Sequence, residues 1–177
     1  MEKISKDAIA KAAVEMNSMD GQKAAALAGA MRAEQPAVLQ YLLNVGNDAF
    51  NEEEKKWFLY LGISVWRLMA DNAGGKLSPV EPEAFDKQAS GALDLVRYLK
   101  GEQDEETGKT VLKIIDESPQ PDLLKYVLYA ISVAGGNDAG EGERTVRSSS
   151  AVMMFFFLKI LVDCLAAAAP SCAPQQK

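Results

Sequence analysis

Two acidic loops carry the side chains best suited to chemistry in this chain. Both begin with Gly-Asn-Asp, at Gly46 and at Gly136. The oxygen ligands that they offer to a hard cation such as Ca²⁺ or Mg²⁺ are Asp48, Glu52, Asp138 and either Glu141 or Glu143. Their spacing differs from that of an EF-hand loop, which needs ligands at alternate positions, a central glycine and a distal glutamate.

The same loops are explained without a metal. Glycine ends a helix readily, Asn or Asp caps the next helix, and glutamate in the first turn suits the helix dipole. The predicted caps of the helix after the first loop are Asn47 and Asp48. We therefore interpret the loops as helix boundaries and expect no metal, with a cation site as the alternative.

Histidine is absent from all 177 residues. Its absence excludes Ser-His and Cys-His nucleophilic pairs, His-ligated zinc and haem, and imidazole acid–base catalysis. Catalysis would have to use carboxylates, lysine, tyrosine or a bound cofactor. No constellation of these is apparent, so we predict no catalytic residues and no cofactor, and we favour a role other than that of an enzyme.

Two charged pairs lie inside apolar segments, Arg67 with Asp71 and Lys159 with Asp163. A desolvated carboxylate with a shifted pKa can act as an acid or base. A spacing of four residues in a helix also lets each pair form an ion pair that helps to fix packing register. Because the arrangement occurs twice, we favour the structural interpretation.

Helical periodicity runs through the whole chain, and strand signals are nearly absent. Proline at a helix start is expected at Pro36 and Pro121. The predicted fold is all-α with about eight helices. Segments with helical periodicity lie at about 6–17, 20–33, 36–46, 50–71, 85–99, 111–115, 121–135 and 144–169.

Three ordered matches relate the two halves of the chain. QPAVLQYLL at 35–43 resembles QPDLLKYVL at 120–128, the Gly-Asn-Asp loops follow, and Arg67 to Asp71 resembles Lys159 to Asp163. We predict one helical domain over 1–170, built from two tandem four-helix pseudo-repeats. Their ranges are about 4–71 and 83–168, with a linker at 72–82 and a flexible tail at 171–177.

The last helix of each pseudo-repeat is apolar on nearly every face, at 57–69 and at 151–165. Such a helix is buried in a core or spans a membrane. Residues 151–169 approach the length of about 20 residues that a span needs, but Lys159 and Asp163 oppose insertion. We predict two central core helices and no membrane span, with the following side chains inaccessible: Leu61, Val65, Phe155, Leu158 and Leu161.

These patterns favour a non-catalytic protein-interaction or regulatory module that binds a protein partner or itself. The net charge of −6, without a basic cluster, argues against nucleic-acid binding. The first residues lack the apolar core of a signal peptide, so we expect a cytoplasmic protein.

The alternative function is a small-molecule or lipid binder with an apolar cavity between the two central helices. Its soft apolar lining would include Met154, Phe155 and Phe156. A carboxylate-based metalloenzyme is a third, less favoured hypothesis.

Overall fold

The chain forms an all-α bundle in a computed structural model. The structure describes residues 1–75, 77–99, 104–136 and 145–170, apart from the side chains at 92–99 and 104–105. These residues form eight helices and no strand, which confirms the predicted fold class. The helices are α1 (Lys6–Asn17), α2 (Gly21–Glu34), α3 (Pro36–Asn44), α4 (Glu52–Asn72), α5 (Pro82–Leu99), α6 (Asp104–Asp116), α7 (Pro121–Ala134) and α8 (Ser148–Ala168). The predicted tail at 171–177 lies outside the described residues.

Proline begins α3 and α7, as predicted. Pro36 and Pro121 lie at the first helical positions, where the missing N–H would have no acceptor within the helix. The residues before them, Gln35 and Gln120, adopt the same backbone conformation, with φ of −138° and −129° and ψ of 62° and 64°. The two helices therefore start in the same way.

The two glycines expected to end helices do so. Just after α3 and α7, φ is 80° at Gly46 and 79° at Gly136, a region that side chains disfavour. A Cβ at Gly46 would also lie 2.6 Å from the ring of Phe50, which is buried. Glycine thus lets the chain turn closely over a core aromatic side chain.

The predicted cap of α4 is wrong. A turn occupies residues 45–49, so Asp48 lies exposed and before the helix. The cap is Asn51, whose Oδ1 accepts a hydrogen bond from the Glu54 N–H, while a Glu54 carboxylate oxygen accepts one from the Asn51 N–H. The start is displaced because Phe50 must enter the core before the helix can begin. This reciprocal arrangement is a capping box.

The central helices α4 and α8 pack against each other and hold most of the core. All five side chains predicted to be inaccessible are at most 1% exposed, which confirms that prediction: Leu61, Val65, Phe155, Leu158 and Leu161. By length and composition α8 could cross a membrane. Eleven of its residues, however, are buried inside the bundle, as expected of a core helix in a folded domain.

Three helix contacts within the first half have counterparts in the second half. The contacts of α1 with α4, of α2 with α3, and of α3 with α4 correspond to those of α5 with α8, of α6 with α7, and of α7 with α8. Across the halves, α1 packs on α7 and α3 packs on α5. A tandem duplication would produce this correspondence. The duplication itself stays a prediction.

Candidate functional site

The carboxylates proposed as cation ligands are not gathered in the part of the chain that can be described. Asp48 is exposed, and Glu52 pairs with Lys55 at 3.0 Å. Asp138 and Glu141 lie outside the described residues. Within the described ranges, no three Asp, Glu or Cys side chains lie close enough together to hold a metal ion.

Both charged pairs in the central helices form ion pairs, as predicted. Arg67 Nε lies 2.9 Å from an Asp71 oxygen, and the two side chains are 51% and 56% exposed. Lys159 contacts Asp163, and these side chains are only 23% and 17% exposed. The second pair is thus partly desolvated, while the first lies in solvent.

The three side chains proposed to line a central cavity belong to the packed core. Met154, Phe155 and Phe156 are each at most 1% exposed. Phe155 and Phe156 meet edge to face, with ring centroids 5.5 Å apart. Phe156 also borders a surface groove, which lies outside the α4–α8 contact and not between the two helices, where the alternative function places its cavity.

That groove lies between α5, the α6–α7 turn and α8, and we call it the α8 groove. Its volume is about 490 Å³. It combines an apolar floor with charged and amide groups on its walls. The lining residues are Gln88, Gly91, Ile114, Glu117, Ser118, Pro119, Phe156, Lys159, Ile160 and Asp163.

A second groove, of about 320 Å³, lies between α1, α2 and α4. We call it the methionine groove, because two methionines line it and most of its other lining side chains are also apolar. The lining residues are Met16, Met19, Ala24, Leu27, Lys56, Leu59, Tyr60 and Ile63. Its lining residues on α4 recur at i, i+3, i+4 and i+7, so they form one stripe of that helix.

Tyr60 fixes one edge of the methionine groove. Its hydroxyl donates a hydrogen bond to Asn17 Oδ1 at 2.7 Å, which ties the end of α1 to α4. Its ring stacks on Trp57, with centroids 5.1 Å apart and planes at 18°. Partial burial raises the pKa of the Tyr60 hydroxyl, so it stays protonated and able to donate. The groove edge is therefore held by contacts within the chain.

Sequence reasoning missed this groove, although a signal for it was present. A helix that is apolar on nearly every face must be covered on all sides or leave an apolar stripe exposed. The stripe of Leu59, Tyr60 and Ile63 is only partly buried. The alanine-rich α2, which packs on α3 and α4, has side chains too short to cover it.

Glu54 is the most strongly perturbed carboxyl group among the described residues, and sequence reasoning missed it too. Its side chain is fully buried where α4 and α8 begin. One oxygen accepts hydrogen bonds from the Arg147 N–H and Nε, both at 2.9 Å. The other accepts from Arg147 Nη2 at 2.6 Å and from the Asn51 N–H at 2.9 Å. The Asn51-x-x-Glu54 spacing was a readable sign of its capping role.

The environment of Glu54 makes it a structural group. Burial alone would raise the pKa of its carboxyl, but hydrogen bonds from Arg147, Asn51 and Ser150 outweigh that effect and lower the pKa to about 2. The carboxylate is therefore ionised at neutral pH, with its oxygens engaged in these bonds. Such a group is a poor general base.

Cys164 carries a free thiol that is buried on α8. Burial, with the neighbouring Asp163 carboxylate, raises the pKa of its thiol to about 11. The thiolate is the reactive form of cysteine. A buried, protonated thiol of this kind is inert toward nucleophilic chemistry.

A comparison with protein-family models, with curated proteins and with solved structures finds no match to this chain.

Proposed function

We propose that this chain is a non-catalytic, all-helical protein-interaction module that binds an amphipathic helix of a protein partner in the methionine groove. The observation that carries the proposal is the groove itself: a concave, mainly apolar surface between three helices. Recognition of a helix through a hydrophobic groove is a common mode of peptide binding.

The dimensions of the groove fit such a partner. From Lys56 to Ile63 the lining residues on α4 span seven positions, which corresponds to about 10 Å along a helix axis. That length accommodates about two turns of a docked helix, with apolar anchors at i, i+3 or i+4, and i+7.

The lining chemistry suits adaptable recognition. Met16 and Met19 carry unbranched, polarisable side chains that repack easily around different anchors. Lys56 lines the groove and pairs with Glu53 at 2.6 Å, so it supplies a charge next to an otherwise apolar surface. An apolar centre beside charged groups is typical of protein interfaces.

The groups that could do chemistry support a non-catalytic role. Glu54 is locked as an ionised capping group, and the Cys164 thiol is buried with a raised pKa. We also propose that the chain acts in the cytoplasm and does not bind nucleic acid, since its net charge of −6 opposes contact with a phosphate backbone.

The test compares three forms of the full chain: the wild type, Ile63→Asp in the groove, and Leu112→Asp as the control. Leu112 lies on α6, is 52% exposed and is not part of the methionine groove. A candidate partner is a protein that extracts of the source cells yield to the wild-type chain and not to a resin without the chain. The candidate is then purified and its binding measured by calorimetry.

We expect Ile63→Asp to weaken the measured affinity by at least about tenfold, because a desolvated carboxylate replaces an apolar contact. Leu112→Asp should bind like the wild type. Light scattering on the purified chain covers the case in which the partner is a second copy. Equal affinity of both variants for the purified partner would refute the proposed groove.

A further inference from the structure

The α8 groove has the composition of a small-molecule site, which the proposed protein interaction does not use. Its volume of about 490 Å³ lies within the range of about 300–1,000 Å³ that ligand pockets occupy. Ile114 and Pro119 supply an accessible apolar surface, while Phe156 and Ile160 are buried. Lys159 and Asp163 on α8 place both signs of charge beside it.

The chain itself contains a comparison for this ion pair. Arg67 and Asp71 have the same spacing on α4, but their side chains are more than half exposed. The side chains of Lys159 and Asp163 are about a quarter exposed or less. Because water screens charges less in a recess, the second pair would interact more strongly with a charged ligand than the first pair would.

Among the described residues, the side chains of Lys159 and Asp163 bond only to each other, so both retain hydrogen-bonding capacity. A lysine ammonium has three donors, and a carboxylate has about four acceptor positions. The contact between Lys159 and Asp163 uses one of each. Glu117 and Gln88, on the opposite walls, add a second carboxylate and an amide.

We propose that the α8 groove binds a small zwitterion with an apolar side chain, of the class of the aliphatic α-amino acids. The carboxylate of the ligand lies next to Lys159, and its ammonium group lies next to Asp163 and Glu117. This orientation opposes the dipole of the ion pair, so both charges of the ligand meet the opposite sign. The side chain of the ligand packs on Ile114 and Pro119. The inference is independent of the methionine groove, which lies against α4 and not α8.

Gly91 provides a way to block the groove without removing a charge. It lies on α5 in the groove lining, and a Cβ added there would meet no atom within 4 Å. Replacing an exposed helical glycine also favours the helix. Gly91→Trp should therefore fill part of the groove while the fold persists.

The experiment is calorimetric titration of the full-length chain with L-leucine as the probe. Two matched probes each lack one charge: isocaproate has no ammonium group, and isoamylamine has no carboxylate. The variants are Lys159→Gln, Asp163→Asn and Gly91→Trp, with Arg67→Gln as the control for the exposed pair. A thermal melt verifies that each variant is folded.

We expect L-leucine to bind the wild type with a Kd below about 1 mM. Lys159→Gln, Asp163→Asn and Gly91→Trp should each weaken binding by at least about tenfold, since charge-assisted contacts or space are lost. Arg67→Gln should change it by less than about twofold. If either charge variant fails to fold, Gly91→Trp and the two single-charge probes decide the matter.

Three results would each overturn the inference. The first is no detectable heat or NMR line broadening with L-leucine up to about 10 mM. The second is isocaproate or isoamylamine binding as tightly as L-leucine, because the site would then not recognise a zwitterion. The third is a folded Gly91→Trp variant that binds L-leucine as the wild type does.

Discussion

Gln35 and Gln120 hold the backbone of the opposite half of the chain in the same way. Gln35 Oε1 accepts a hydrogen bond from the Val80 N–H, and its Nε2 donates to the Ser78 carbonyl, both at 2.9 Å. Gln120 Oε1 accepts from the Ile4 N–H at 2.9 Å, and its Nε2 donates to the Glu2 carbonyl at 2.8 Å. Both glutamines are 1% exposed.

A glutamine side chain of each half therefore binds a short backbone segment near the start of the other half. Gln35 precedes the proline that begins α3 and binds the segment that leads into α5. Gln120 precedes the proline that begins α7 and binds the segment that leads into α1. Ile4 and Val80, whose backbone N–H groups donate to these glutamines, are buried in the core. These glutamine contacts connect each half to the segment that precedes the first helix of the other half.

Removing the hydrogen bonds of either glutamine should destabilise the fold. Gln35→Leu and Gln120→Leu each leave a buried backbone N–H, that of Val80 or of Ile4, without its partner, so we expect a loss of about 1–3 kcal/mol in the free energy of unfolding for each. Urea denaturation measures this loss. The control is Gln22→Leu on the exposed side of α2, which should stay within about 0.5 kcal/mol of the wild type. If Gln35→Leu and Gln120→Leu were as stable as the control, water would be replacing these hydrogen bonds and the prediction would fail.

Stability should fall in acid because of Glu54. The pKa of its carboxyl is lowered from an ordinary 4.5 to about 2 in the folded chain. A lowered pKa stabilises the fold fully above about pH 4.5, and that contribution disappears as the pH falls to about 2. The difference corresponds to about 3 kcal/mol.

Urea denaturation at a series of pH values measures the Glu54 contribution. Glu54→Gln should be strongly destabilised at neutral pH and should lose most of this acid dependence. Glu52→Gln, at an exposed position in the same helical turn, should retain it. An identical pH profile for wild type and Glu54→Gln would contradict the assignment.

Substitution of Asn51, the cap of α4, should lower the stability of the fold, whereas substitution of Asp48 should not. Asn51→Ala removes the side-chain acceptor of the Glu54 N–H and should cost about 0.5–2 kcal/mol. Asp48→Ala, in the preceding turn, should change stability by less than about 0.5 kcal/mol. Added Ca²⁺ or Mg²⁺ should not shift the Tm of the wild type. A cation-dependent Tm that Asp48→Ala abolishes would instead support a metal site, since a ligand of the folded state raises its stability.

The core prediction concerns α8. Leu158 is fully buried, so Leu158→Ala should cost about 2–5 kcal/mol in urea denaturation. The wild-type chain should remain monodisperse in buffer without detergent. A requirement for detergent would favour the membrane interpretation that the length and apolar composition of α8 also permit.

Local signals predicted the helix boundaries well where backbone sterics alone decide them. Pro36 and Pro121 begin helices because proline fits the first turn, and Gly46 and Gly136 follow helices with positive φ. The start of α4 was not decided locally. Three residues able to cap lie between 47 and 51, and the burial of Phe50 selects the last of them.

The features that join distant segments were beyond sequence reasoning. Gln120 and Ile4 are 116 residues apart, and Glu54 and Arg147 are 93 apart. No local pattern encodes such partners. The grooves escaped prediction for a related reason: whether the stripe at Leu59 and Ile63 is covered depends on the length of the side chains on the helix packed beside it, and α2 is rich in alanine.

The most direct test of the proposed interaction is site-specific photo-cross-linking. A p-benzoylphenylalanine residue replaces Leu59 in the methionine groove or, as the control, Leu112 on α6. After illumination with the partner, mass spectrometry locates the cross-linked residues. The proposal predicts that position 59 cross-links to one amphipathic helix, at residues of its apolar face, and that position 112 does not. Cross-links to that partner from position 112 but not from position 59 would contradict the proposed site.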